Sequence, residues 1–139
     1  MAYFADEQEV YKYIGATLKG LFADPELAEK LHRADTTLQY RMHDPESTIT
    51  IAAPLHGDAQ VDCGASELEP EVIMEMQADV AHRFWLGKVN VTVALARGQI
   101  TAAGPVPKIL RLLPLVKPTF PRYRAWLVQA GRKDLAEAD

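Results

Sequence analysis

A chain of 139 residues with a net charge of −4 is sized for one domain, and its pI near 5.5 excludes a nucleic-acid-coating protein. With 48% hydrophobic and 24% charged residues it can bury a core unaided, which excludes a disordered chain. Its one cysteine, Cys63, allows no intrachain disulfide, and no apolar run approaches the roughly 18 residues of a membrane span. The first residues, Met-Ala-Tyr-Phe-Ala-Asp-Glu, lack the basic start and apolar run of a signal peptide, so the expected compartment is cytoplasmic. The final Ala-Glu-Ala-Asp is not a peroxisomal address of the Ser-Lys-Leu type.

Residues 6–33 read as helical. Val10, Tyr13, Ile14, Thr17, Leu18, Leu21 and Phe22 make one stripe over 6–22, and Asp6, Glu7 and Glu9 suit the positive end of the dipole. Asp24-Pro25 is an N-cap followed by proline in the first turn, and Leu27, Ala28 and Leu31 carry a second helix to about Arg33. The period then changes to two. Leu38, Tyr40 and Met42 alternate with polar neighbours over Thr36–Met42, and Ile49 and Ile51 do so over Thr48–Ala53. Val61 and Cys63 face inward along a third strand, and Val72, Met74 and Met76 along a fourth. Turns at 43–47 and 54–58 separate the first three strands.

Asp79 reads as the N-cap of a helix over Val80–Leu86 that stops at Gly87. Asn90 caps a helix over Val91–Arg97 that stops at Gly98. Gln99–Ala103 is a fifth strand, with Ile100 and Ala102 on one face. Beyond Gly104-Pro105, Val106, Ile109, Leu110 and Leu113 form one helical stripe, and Leu112, Leu115 and Val116 form another beside it. Pro114 and Pro118 are expected to end this helix. Pro121 starts a last one to about Ala130, lined inside by Phe120, Tyr123, Trp126 and Leu127, with Gly131 as its cap and a frayed polar tail. The expectation is a single domain over 1–139, with N-terminal helix at 6–33, a core at 35–116 and a helical extension at 117–131.

A surface helix needs one apolar stripe; the segment 106–116 has two. It suits the wall of an apolar cavity, and it equally suits a helix buried between a sheet and another helix. Five strands about 4.8 Å apart span roughly 24 Å, and a helix with its side chains is about 10 Å across. Two or three helices therefore cover one face of such a sheet. The remaining apolar helices must pack on one another, on a partner, or around an apolar molecule.

Residues 1–79 hold sixteen acidic and five basic side chains, whereas residues 80–133 hold ten basic and no acidic ones. Either the halves meet and neutralise one another, or the basic part faces an anionic surface.

Catalytic chemistry finds little purchase. His32, His43, His56 and His82 fall singly on separate elements without a second ligand at metal spacing. Cys63 sits mid-strand, where a buried structural thiol is the ordinary outcome, and a Cys63–His56 pair would lack a third member. Glu67, Glu69 and Glu71 surround Pro70 in a solvated turn. No phosphate loop, dinucleotide fingerprint or nucleophile elbow is present. No catalytic residue, metal or cofactor is expected, and the chain reads as a binding protein.

Three passages resemble the sterol carrier protein 2 family. They are Val72-Ile-Met-Glu-Met-Gln-Ala-Asp-Val-Ala-His-Arg-Phe-Trp-Leu-Gly-Lys88, then Asn90 to Gly98 with the strand Gln99–Gly104, and then Lys108-Ile-Leu-Arg-Leu-Leu-Pro-Leu115. The likeness covers about residues 10–116. Val91 stands where members often carry proline, and Gln99 and Ala102 stand where they carry lysine. The resemblance implies an α/β chain of the α+β type, with a five-stranded, mostly antiparallel sheet covered on one face by about five helices. It also implies an apolar tunnel for a fatty acid, acyl-CoA, sterol or phospholipid, and no enzymatic activity.

Two functions follow. The first is lipid binding or transfer, with Phe84, Trp85, Leu86, Val93, Ile100, Ile109, Leu110, Leu113, Phe120, Tyr123 and Trp126 as the lining. Arg111, Lys117, Arg122 and Arg124 would hold an anionic headgroup or touch an anionic membrane transiently. The second is an interaction or accessory module that buries helix 106–116 in a homodimer or against a partner.

Overall fold

Strand alternation decides which side of the sheet is apolar. The computed structural model describes residues 2–138, with one sheet in the order β3-β2-β1-β4-β5. The strands are β1 Thr36–His43, β2 Ser47–Ala53, β3 Gln60–Cys63, β4 Val72–Gln77 and β5 Ile100–Ala103. β1 is central and runs parallel to β4; the other three pairings are antiparallel. The register brings the apolar positions into rows. Leu38 lies between Ile51 and Val72, Tyr40 between Ile49 and Met74, and Met76 between Met42 and Ile100. The opposite face is polar. There Gln39 donates to Thr50 Oγ1 at 3.0 Å, and Arg41 lies 3.8 Å from Glu75. A sheet apolar on one side only takes its helices on that side.

The helices are α1 Glu7–Val10, α2 Ala16–Leu21, α3 Pro25–Ala34, α4 Ala78–Trp85, α5 Val91–Ala96, α6 Val106–Val116, α7 Phe120–Gln129 and α8 Lys133–Ala136. A π-helical turn, Tyr11–Gly15, joins α1 to α2. A Cβ on Gly15 would sit 2.9 Å from Cys63 Sγ, so glycine lets this turn close onto β3. Asp24 caps α3 by accepting from the backbone of Glu26 and Leu27. Gly104, at φ +104, ends β5 against the Glu71 carbonyl, where any side chain would collide. Among the described residues no helix is long and apolar enough to cross a membrane.

α2 ends at Leu21 and α3 starts at Pro25 behind its Asp24 cap, so the helical region 6–33 is broken at 22–24. Three expectations are corrected. α4 begins at Ala78, before Asp79, whose carboxylate instead accepts from the Tyr3 backbone N–H at 2.8 Å. Pro114 lies inside α6 without ending it. Its missing N–H takes from the Leu110 carbonyl its i+4 donor, and Leu110 is on the exposed side, where water can serve it. The tail is not frayed: α8 buries Leu135 to 2% exposure and Ala136 beside it, extending the helical region past 131.

His82 is the reason that the tail docks. Its ring is fully buried between two bonds: 2.7 Å from Nδ1 to the Tyr123 hydroxyl and 2.9 Å from Nε2 to the Leu135 carbonyl. A carbonyl only accepts, so Nε2 carries the proton and Nδ1 accepts from Tyr123. Tyr3, Phe4 and Tyr123 pack edge-on around the ring. One side chain thus ties α4 to α7, to α8 and to the N-terminal residues. Burial pushes the imidazole below its ordinary range, because the charged form loses its solvent there.

Leu135→Ala should cost about 2–4 kcal/mol in urea unfolding, whereas a frayed tail would lose no more than about 0.5 kcal/mol. Below the ordinary histidine pKa of 6.5 the unfolded chain binds a proton that native His82 resists. Stability should therefore fall as pH drops through that value, by up to about 1.4 kcal/mol per unit. His82→Gln should be less stable at neutral pH and flatter between about pH 7 and pH 5.5. Equal slopes in both proteins would remove His82 from the acid response.

Candidate functional site

Helices that cover the sheet do not fill the space above it. Between the inner face and α2, α3, α4, α5 and α6 lies a cavity of about 90 Å³ that is partly open to solvent. The sheet supplies its floor through Thr36, Leu38, Tyr40, Ile51, Ala53, Met74, Met76 and Ile100. Leu18, Leu21, Phe22 and Leu31 wall one part, and Ala81, Phe84, Trp85 and Val91 another. Ile109, Leu112, Leu113 and Val116 of α6 bring both of that helix's apolar stripes to the lining. None of these residues is charged. Thr36, Tyr40 and Trp85 alone among them carry an N–H or O–H, and the Thr36 hydroxyl donates to the Ala34 carbonyl at 3.0 Å. Burial pushes the Tyr40 phenol up to about 12.

Of the residues expected to line a cavity, Phe84, Trp85, Ile100, Ile109 and Leu113 do so. Phe120 stands one layer behind, with its ring edge-on to Phe84 at 5.3 Å and to Trp85 at 6.1 Å. Leu86 is buried but outside the lining, and Val93 and Leu110 are 40% and 38% exposed. Tyr123 is spent on His82. Trp126 lies in a separate cleft between α2 and α7, lined also by Thr17, Gly20, Thr119 and Arg122. Periodicity placed these side chains on the inner sides of their helices, but α7 packs on α2 and α8 and stays away from the sheet. Apart from Ile100, the floor was missing from the expected lining, as was the N-terminal wall. Alternation had marked Leu38, Tyr40, Ile51, Met74 and Met76 as inward, so the signal for the floor was present.

The cations are dispersed. Arg122 lies 3.3 Å from Asp24, Lys108 2.9 Å from Glu71, and Arg132 2.6 Å from Glu9, so the basic and acidic halves partly neutralise each other. Arg111 donates from Nε to the Pro107 carbonyl, while Lys117 and Arg124 are exposed without an ion pair among the described residues. Arg111, Lys117, Arg122 and Arg124 form no single cluster at the lining. Burial pushes the Cys63 thiol up, away from the thiolate a nucleophile needs. Among the described residues no group of three or more His, Cys, Asp and Glu is arranged to hold a metal.

No family model matches the sequence, and no curated protein matches it. Solved structures do match. The chain superposes on sterol carrier protein 2 from Yarrowia lipolytica (apo form) with a TM-score of 0.63 at 16% identity, covering 75% of this chain and 87% of that one. Sterol carrier protein domain 2 of Helicoverpa armigera gives a TM-score of 0.66 at 20% identity, over 87% of this chain and 95% of that one. The stereoselective inverting sec-alkylsulfatase Pisa1 from Pseudomonas sp. gives 0.54 at 18% identity, over 66% of this chain but only 14% of the enzyme. Two neighbours are matched over most of their length, and in sheet, helices and extent the chain has the fold of a sterol carrier protein 2 domain.

Proposed function

We propose that this chain is a non-enzymatic lipid-binding or lipid-transfer protein that holds a fatty acid, acyl-CoA, sterol or phospholipid in the cavity between sheet and helices. The observation that carries this reading is the uncharged lining, drawn from four strands and five helices and partly open to solvent. An apolar space of that kind gains about 0.8 kcal/mol for each methylene it takes from water, so eight methylenes are worth roughly 6 kcal/mol before ordering costs. The two sterol carrier structures matched over most of their length support the same reading. Of the four cations expected to meet an anionic headgroup or membrane, Lys117 and Arg124 are exposed and without an ion pair among the described residues. The sulfatase match covers a small part of a long chain and supports no activity here.

The interface reading of helix 106–116 has less surface to work with. Its two stripes are turned toward the cavity, and Leu110 is the one large apolar side chain of α6 that is strongly exposed among the described residues. A homodimer built on this helix would have to rest largely on that residue.

A fluorescent fatty acid should bind saturably, and mass spectrometry of an organic extract from gently purified protein should return one lipid class in near-stoichiometric amount. Leu113→Trp, which fills the cavity, should weaken binding at least tenfold, or about 1.4 kcal/mol. Leu110→Trp, on the exposed side, should leave it unchanged. Equal binding by both variants would overturn the assignment of the cavity as the binding site.

A further inference from the structure

We propose that the cavity selects lipids bearing an uncharged oxygen, a hydroxyl or a carbonyl, within their buried length, and that the Tyr40 hydroxyl is the group that reads it. This rests on the lipid-binding reading and names the chemistry that the lining accepts.

Tyr40 lies in the middle strand, on the floor of the cavity, between Ile49 and Met74. Its hydroxyl makes no hydrogen bond among the described residues. The side chain nonetheless keeps accessible surface while its phenol is strongly desolvated. Both hold if the free surface faces the cavity and not bulk water. The other two donor-bearing residues of the lining are differently placed. The Thr36 hydroxyl is committed to the Ala34 carbonyl, and Trp85 is 2% exposed between the edges of Phe84 and Phe120. A hydroxyl that has lost its bulk water and has no protein partner is costly, and a ligand entering the cavity can supply that partner.

The lining also limits what that partner is. No Lys, Arg or His lines the cavity, so a carboxylate or phosphate beside Tyr40 would be buried without a counter-charge. A neutral hydroxyl or carbonyl accepts the phenol's proton without that cost. A plain hydrocarbon chain leaves the hydroxyl unmet. Tyr40 lies about 13 Å along β1 from Thr36, the other hydroxyl of the lining, and the position of the matching oxygen along the ligand is read by moving it stepwise.

The test compares stearic acid with octadecanoic acids carrying one hydroxyl at successive mid-chain positions. Each displaces a fluorescent fatty acid from the wild-type chain and from Tyr40→Phe, which keeps the ring and removes only the oxygen. At least one hydroxylated acid should bind wild type about tenfold more tightly than stearic acid, the worth of one buried hydrogen bond. Tyr40→Phe should abolish that preference and bind stearic acid at least as well as wild type. If stearic acid binds but no hydroxylated acid is preferred, or if the preference survives in Tyr40→Phe, this inference fails and the lipid-binding reading stands. If no member of the series displaces the probe and none binds directly by calorimetry, both fail together.

Discussion

Water must be kept from an apolar sheet face five strands wide, and the helices available to cover it cannot do so without leaving space. The register aligns Leu38, Ile51, Met74, Met76 and Ile100 into a continuous floor. Rounded helices laid over a flat floor touch it along lines, and side chains must fill the grooves between. Here they fill them incompletely, and the remainder is the cavity. The functional reading is therefore a consequence of the packing problem that makes the fold.

α6 expresses that constraint most directly. A helix with one stripe would dock and leave its other side wet. α6 turns Ile109 and Leu113 together with Leu112 and Val116 toward the same enclosed space. Its start is held by Lys108, which bonds the Asp35 carbonyl and the Glu71 carboxylate, both at 2.9 Å. Beyond it the chain could have left the body of the protein. The His82 node returns it, through Tyr123 on α7 and the Leu135 carbonyl at α8. That node is polar and buried, so it demands both partners at once, which gives the tail a unique seat.

Charge has a smaller part in the architecture. Among the described residues the acidic N-terminal and basic C-terminal halves meet at three ion pairs that join distant segments, Glu9–Arg132, Asp24–Arg122 and Glu71–Lys108. The outer carboxylates and cations stay in water, where such pairs contribute little. The sequence asymmetry is thus resolved partly by internal neutralisation, and the cations nominated for a headgroup are spread over α6, α7 and the turn between them.

The strands were legible because a period of two, broken by Pro, Gly and Asp, has few other readings, and the inward residues of β1, β2 and β4 followed from it. The Asp24 and Asn90 caps were legible for the same local reason: a short polar side chain beside the first turn satisfies its N–H groups. The five-stranded sheet with helices over one face was what the resemblance to the sterol carrier protein 2 family implied. The tail was not legible, because Lys133–Asp139 is polar in composition and the side chains that bond its carbonyls, His82 to Leu135 and Lys88 to Ala138, stand 53 and 50 positions away. The lining was half legible. Sequence alone determined which side of each element is apolar, since that is a matter of period. Only the tertiary structure decided which apolar sides face the cavity and which face another helix, as Tyr123 and Trp126 do. That choice depends on how surfaces from residues 18 to 116 fit together, and no local pattern encodes a gap between them.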